Sequence, residues 1–274
     1  MFCLLHAATA QMIGGLDAVD EGFLSFVVQV HAQRHRQSRP ECGGSVIGDR
    51  WVITAAHCIW DIDYGRNREV KVVAGDFSSV SNYYGLREDR VEFIPDEIIR
   101  HPYYDMYPVY YDIGLLSFNQ PITVNDRISN IGLPAMRGQG DRELPAVGDL
   151  CLFMGWGNTR LNEITYQSFD MPRWLKVGVL QVAHVTIHHI SFHPLDRNGD
   201  TGTVYPLDGD SGSPLLCKDS DQGWKLFGLH KAISVEHDFG DFMRVETFMD
   251  WVEVTKHLFR RFSCDSQRYR VESS

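Results

Sequence analysis

An all-β fold, a barrel or a sandwich, is the class that this 274-residue sequence predicts. Three observations lead there. Short runs rich in β-branched and aromatic residues recur along the chain. Clusters of Gly, Pro, Asn and Asp separate them. Only one late segment changes to helical spacing, so strands dominate the architecture.

The runs follow in order. FVVQVHA (26–32), SVIGDRWVITAA (45–56), EVKVVAGDF (69–77) and IGLLSF (113–118) form a first group. LCLFMGWG (150–157), LKVGVLQVAHVTI (175–187), SPLLCK (213–218) and WKLFGL (224–229) form a second. In VETFMDWVEVTKHLF (245–259), Phe248, Trp251, Val252, Val254, Thr255 and Leu258 fall near a 3.6-residue period, which predicts a C-terminal helix. Residues 263–274 read as a polar tail. No internal repeat or low-complexity tract interrupts this order.

With 43% hydrophobic residues the chain can bury a large core, as one large domain or two small ones. A net charge of −10 argues against nucleic acid or an anionic membrane as the main partner. No apolar run approaches the roughly 20 residues that span a bilayer. Residues 1–11, MFCLLHAATAQ, place a short apolar stretch before Ala8-Thr9-Ala10, a small-x-small cleavage pattern. They read as the remnant of a secretory leader, although they lack a basic leading segment. An ordinary N-terminus is the alternative. The six cysteines, Cys3, Cys42, Cys58, Cys151, Cys217 and Cys264, contain no CxxC pair, so a zinc ribbon is a poor reading. Disulfides suit an exported chain.

Three stretches carry chemistry: VITAAHC with His57, YYDIGLLSF with Asp112, and GDSGSP with Ser211. Each alone has a bland interpretation as a structural histidine, a turn aspartate and a loop. Together they supply a hydroxyl nucleophile, a base to take its proton, and a carboxylate to orient that base.

On these motifs the chain resembles the chymotrypsin–trypsin family of serine endopeptidases. ECGGSVIGDRWVITAAHC, DIGLLSF, GWGNT, GDSGSPLLC and FMRVETFMDWV all occur in the family's order, and so does the sequence His, Asp, Ser. The resemblance implies two perpendicular antiparallel six-stranded β-barrels with a C-terminal helix. Residues 12–262 would form the protease domain, with an N-terminal barrel over about 12–132 and a second barrel plus helix over about 133–262. It also implies a catalytic triad of His57, Asp112 and Ser211 and an oxyanion hole from the backbone N–H groups of Gly209 and Ser211. Two disulfides are implied, Cys42–Cys58 and Cys151–Cys217. Cys3 would leave with the leader, and Cys264 is left over. No cofactor or metal is implied. The partners would be a polypeptide substrate and protein protease inhibitors, in an extracellular setting.

The sequence departs from the family in several places. The family's activated N-terminus pairs with the Asp beside the serine, which here would join Met12 and Asp210. No Lys or Arg stands among residues 1–11 to direct a tryptic cut. The pocket disulfide is missing, with Leu207 where it would begin. The specificity pocket would be formed by Tyr205, Ile233 and Gly240. Tyr205 stands six residues before Ser211, where trypsin-like members carry an Asp, so a shallow pocket for small or medium apolar side chains is expected. Lys231 replaces a serine that supports the triad Asp, and either pairs with Asp112 or points to solvent. These departures support an alternative, a weak or inactive homologue acting as a binding module. His184, His188, His189 and His193 read as a polar surface run in preference to a metal site. GDFSSVSNYYGLRED (75–89) occupies the family's calcium-loop region, but Tyr84 and Arg87 dilute its carboxylates.

Overall fold

A computed structural model describes residues 16–17, 22–32, 42–61, 65–76, 90–105, 111–136, 138, 145–157, 175–194, 209–234 and 239–259. Its elements run β1 (Leu16–Asp17), β2 (Val27–Ala32), β3 (Cys42–Gly48), β4 (Trp51–Thr54), α1 (Ala56–Ile59), β5 (Trp60–Asp61), β6 (Arg66–Asn67), β7 (Val70–Ala74), β8 (Val91–Phe93), β9 (Glu97–Arg100) and β10 (Gly114–Ser117). They continue as β11 (Leu150–Gly155), β12 (Lys176–Val185), β13 (His189–Pro194), β14 (Pro214–Lys218), β15 (Trp224–Ser234) and β16 (Phe239–Arg244). A helix, α2, spans 249–259.

Two large antiparallel sheets result. The first has the order β8-β7-β2-β3-β4-β10-β9 and curls without closing among the described residues. In the second, β12-β11-β14-β15-β16-β13 closes through an additional β12–β13 pairing into a six-stranded barrel. β1 pairs with the first residues of β12, Asp17 standing opposite Lys176. The expected pair of barrels is therefore one closed barrel and one curled sheet.

Strand alternation explains why the central runs are apolar without interruption. On β4, Val52 enters the core inside the first sheet and Ile53 enters a second core shared between the two sheets. On β10, Leu116 and Leu115 divide in the same way. On β14, Leu215 faces the barrel interior and Leu216 the shared core. Both faces of these strands are buried, so periodicity in hydrophobicity vanishes while periodicity in destination remains. Helix α2 closes the shared core with Met249 and Val252, after a 3₁₀ turn at Val245–Phe248. Two disulfides, Cys42–Cys58 and Cys151–Cys217, pin the ends of β3 and α1 and join β11 to β14.

Candidate active site

The site is built from the ends of buried strands. After β4 the chain turns at Ala55, whose backbone is extended, and α1 begins, bringing His57 out of the sheet. Asp112 stands two residues before β10, which pairs with β4 in register Gly114↔Thr54. That register sets the two side chains against each other. His57 Nδ1 lies 2.7 Å from Asp112 Oδ2, and the His57 backbone N–H donates to Asp112 Oδ1 at 2.9 Å. Asp112 is fully buried, whereas the His57 side chain keeps 29% of its surface exposed. The two hydrogen bonds fix the ring's orientation, and its Nε2 lies 3.8 Å from the Cys58 sulfur. A buried carboxylate with two donors retains its position because any other placement would forfeit both.

Asp112 has an aromatic wall behind it. Tyr111 adopts φ 62°, rare for a residue with a side chain, and stacks on His101 at 4.8 Å. His101 also packs on Trp251 of α2 at 4.9 Å. Burial lowers the His101 pKa to about 4, so the ring is neutral, and its Nδ1 accepts the Tyr103 N–H at 3.2 Å. The Tyr104 phenol is pushed up by burial and by the Asp112 charge. The stretches HPYYD and YYD supply Tyr103 and Tyr111 to this cluster around His101, which no local pattern in the sequence reveals.

The serine loop docks against the same corner. Gly43 of β3 donates its N–H to the Ser211 carbonyl at 2.8 Å, and Gly212 donates to the His230 carbonyl at 2.7 Å. Ser213 donates to the Asp210 carbonyl at 2.9 Å, and Thr54 Oγ1 donates to the Gly43 carbonyl at 2.7 Å. Gly212 has φ 73°, and a Cβ there would lie 2.6 Å from the Gly43 oxygen and 2.9 Å from Ala55 N. Such proximity means that the serine loop and the strand leading to His57 touch through backbone, which only glycine permits. Gly209 also has a positive φ, 97°. Asp210 is fully buried. Its Oδ1 accepts the Gly157 N–H at 2.7 Å, and a side chain at Gly155 or Gly157 would collide with the carboxylate.

Other anticipated positions fall less centrally. Met12, Tyr205, Leu207, Cys3, Cys264 and most of the 75–89 loop lie outside the described residues. Ile233 and Gly240 are opposite each other in the β15–β16 register. Lys231 takes neither expected course: its Nζ lies 3.1 Å from Asp241 Oδ2, with 13% of the side chain exposed. Asp241 has its own strand position opposite Ala232, which places it within reach of Lys231 and not Asp112. Its other oxygen, Oδ1, lies 3.2 Å from His189 Nδ1. Two members of the histidine run, His188 and His189, thus serve packing and pairing, His188 lying 5.7 Å from the Tyr111 ring. Among the described residues, the cluster of ligand-type atoms at Cys42, His57 and Cys58 includes both sulfurs of one disulfide.

At the start of the 75–89 loop, Asp76 meets a cation from the chain itself. Arg90 Nη1 lies 3.5 Å from Asp76 Oδ2, with both side chains about 95% buried, and Arg90 Nη2 lies 2.6 Å from Glu92 Oε1. Arg90 follows the 75–89 stretch, and no local pattern in the sequence links it to Asp76.

The sequence profile of the Trypsin family matches residues 12–252. The chain belongs to the trypsin family. It is 28% identical to anionic trypsin of Canis lupus familiaris over 252 residues, 89% of each chain. It is 30% identical to transmembrane protease serine 5 of Homo sapiens, covering 79% of this chain and 46% of that one. Among solved structures, HBP superimposes with a TM-score of 0.69 at 22% identity, over 89% of this chain and 96% of that chain. That likeness concerns the fold. The curated relatives are trypsins and serine proteases, and this trypsin-family chain places its His57–Asp112 pair where its two sheets meet.

Proposed function

We propose that the protein is a secreted serine endopeptidase in which His57, Asp112 and Ser211 form the catalytic triad. The observation that carries this reading is the His57–Asp112 pair, with the Asp fully buried and both its oxygens accepting hydrogen bonds from the same histidine. The backbone contact of the serine loop with β3 supports it.

In this mechanism Ser211 Oγ attacks the scissile carbonyl, and its proton passes to His57 Nε2. Asp112 accepts from Nδ1–H, holds the tautomer and stabilises the imidazolium. The backbone N–H groups of Gly209 and Ser211 stabilise the oxyanion, each donor contributing about 3 kcal/mol in sites of this kind. His57 then protonates the leaving amine, and a water repeats the cycle on the acyl-enzyme. Specificity is not trypsin-like, because Tyr205 supplies no carboxylate where a substrate Lys or Arg would need one, and an unpaired buried cation carries a cost of several kcal/mol.

The test is covalent labelling with a fluorophosphonate probe, together with peptide hydrolysis. Wild-type protein should label, and Ser211→Ala should not, with kcat falling about a millionfold. His57→Ala should behave alike, and the double variant should be little worse than either single one. Peptide hydrolysis unchanged in Ser211→Ala would overturn the triad. An unlabelled, folded wild type would favour the binding-module alternative, to which the altered substrate strand around Lys231 also points.

A further inference from the structure

Asp112 is fully buried, and both its oxygens accept from His57. Only one direction of the carboxylate satisfies both bonds. The residue before it, Tyr111, has φ 62°. Among the described residues with a side chain only Gln222 shares a positive φ, and Gln222 is exposed between β14 and β15. A left-handed backbone crowds the Cβ of any residue but glycine. Asn and Asp offset this with a local hydrogen bond, and an aromatic side chain has none to offer. Tyr111 therefore keeps this conformation because its surroundings impose it. Core packing alone does not ask for it.

Those surroundings converge on His101. The His101 and Tyr111 rings stack at 4.8 Å with 17° between their planes. Phe248 meets both edge-on, 5.8 Å from Tyr111 and 5.6 Å from His101, and Trp251 of α2 lies 4.9 Å from His101. His101 also grips the chain beyond Asp112. Its backbone N–H donates to the Ile113 carbonyl at 3.0 Å, and the Ile113 N–H donates to the Tyr111 carbonyl at 2.8 Å. One residue thus holds both neighbours of Asp112, Tyr111 through its ring and Ile113 through its backbone. The imidazole, its pKa lowered to about 4 by burial, is neutral, so the clamp sets no cation beside the carboxylate. A return of Tyr111 to the right-handed or extended region would turn the chain leading into Asp112. The carboxylate would then forfeit hydrogen bonds to His57.

We propose that Tyr111 is a positioning residue of the triad: its ring, stacked on His101, holds the left-handed backbone that aims the Asp112 carboxylate at His57. This inference rests on the peptidase reading above. It adds a residue that touches neither the substrate nor the reacting atoms.

The experiment separates ring from backbone at position 111. Tyr111→Phe keeps the stack. Tyr111→Leu removes it and disfavours the left-handed backbone, whereas Tyr111→Asn removes it and tolerates that backbone. Kinetics use a peptide selected from a mixed library, with active protein counted by fluorophosphonate labelling. Tyr111→Phe should match wild type. Tyr111→Leu should lower kcat by about tenfold or more with KM little changed, since a small misplacement of a triad member costs that much. Tyr111→Asn should recover most of the loss. In the Asp112→Asn background, Tyr111→Leu should cost nothing further, because it acts only through that carboxylate.

A second readout needs no turnover. The low-field proton resonance of His57 Nδ1–H bound to Asp112 should appear in wild type and Tyr111→Phe and vanish in Tyr111→Leu. In the event that Tyr111→Leu misfolds, His101→Asn removes the same stack from its other side while keeping an acceptor for the Tyr103 N–H, and it should lose both kcat and the resonance. Wild-type kcat and resonance in Tyr111→Leu or His101→Asn would overturn the proposal. So would a loss in the Asp112→Asn background as large as in wild type, since Tyr111 would then act elsewhere. Tyr111→Asn as impaired as Tyr111→Leu would overturn it too, because the backbone would not be what the ring secures. Wild type that shows the resonance but does not label would overturn the peptidase reading alone.

Discussion

At the scale of single residues, charge at the β15–β16 pair is settled locally. Burial opposes ionisation of Asp241, but contact with His189 and the charges of His189 and Lys231 outweigh it and hold the carboxyl below the usual carboxylate range. A depressed carboxylate contributes stability that is present above its unfolded pKa and lost as pH falls through its folded pKa. Removing the Lys231 cation raises that folded pKa, so the loss begins at higher pH. Lys231→Met should therefore move the acid-unfolding midpoint upward, as followed by near-UV circular dichroism. An unchanged midpoint would show that His189 alone sets the Asp241 pKa. The same geometry bears on catalysis. Lys231 is paired with Asp241 and does not restrain Asp112, so Lys231→Ser should bring no rise in turnover.

At the scale of elements, the Asp76–Arg90 pair closes the segment between β7 and β8 with both charges buried. Removing Arg90 takes a guanidinium from a buried carboxylate, which destabilises the fold. Arg90→Ala should lower Tm accordingly, and adding calcium should leave the wild-type Tm unchanged, because a guanidinium already neutralises Asp76. A rise of wild-type Tm in calcium would count against this account. This pair also shows where sequence reading stops. WVIT and IGLL were readable as strands because burial on both faces leaves a continuous apolar run. The C-terminal helix was readable from its spacing, although Val245–Phe248 forms a 3₁₀ turn before α2 begins. His57, Asp112 and Ser211 stood out because three motifs agreed in order. Arg90 did not, because its meaning lies in the carboxylate it meets, and no local pattern encodes a partner fourteen residues away.

At the scale of the whole molecule, β1 joins the barrel beside the strand that ends at the Asp210 carboxylate. Asp17 of β1 pairs with Lys176 of β12, and Lys176 pairs with Gly155 of β11. Neighbouring strands are ~4.8 Å apart, so Asp17 lies about 10 Å from Gly155 across the sheet. Gly155 is one wall of the cradle around the Asp210 carboxylate. The five steps back from Asp17 to Met12 can span up to ~17 Å of extended chain. We propose that a chain beginning at Met12 pairs its amine with Asp210, a separation that this length of extended chain can bridge. An ammonium there would compensate a fully buried carboxylate directly beside Ser211, and one further residue would place an amide where the charge is needed. Protein trimmed to begin at Met12 should label with fluorophosphonate, and protein retaining Gln11 should label far more slowly. Asp210→Asn should lose labelling in the trimmed form, since the ammonium would then be buried without its counter-charge. Equal labelling of the Met12 and Gln11 forms would refute this route and place the ordering of the serine loop in its backbone contacts with Gly43 and His230 alone.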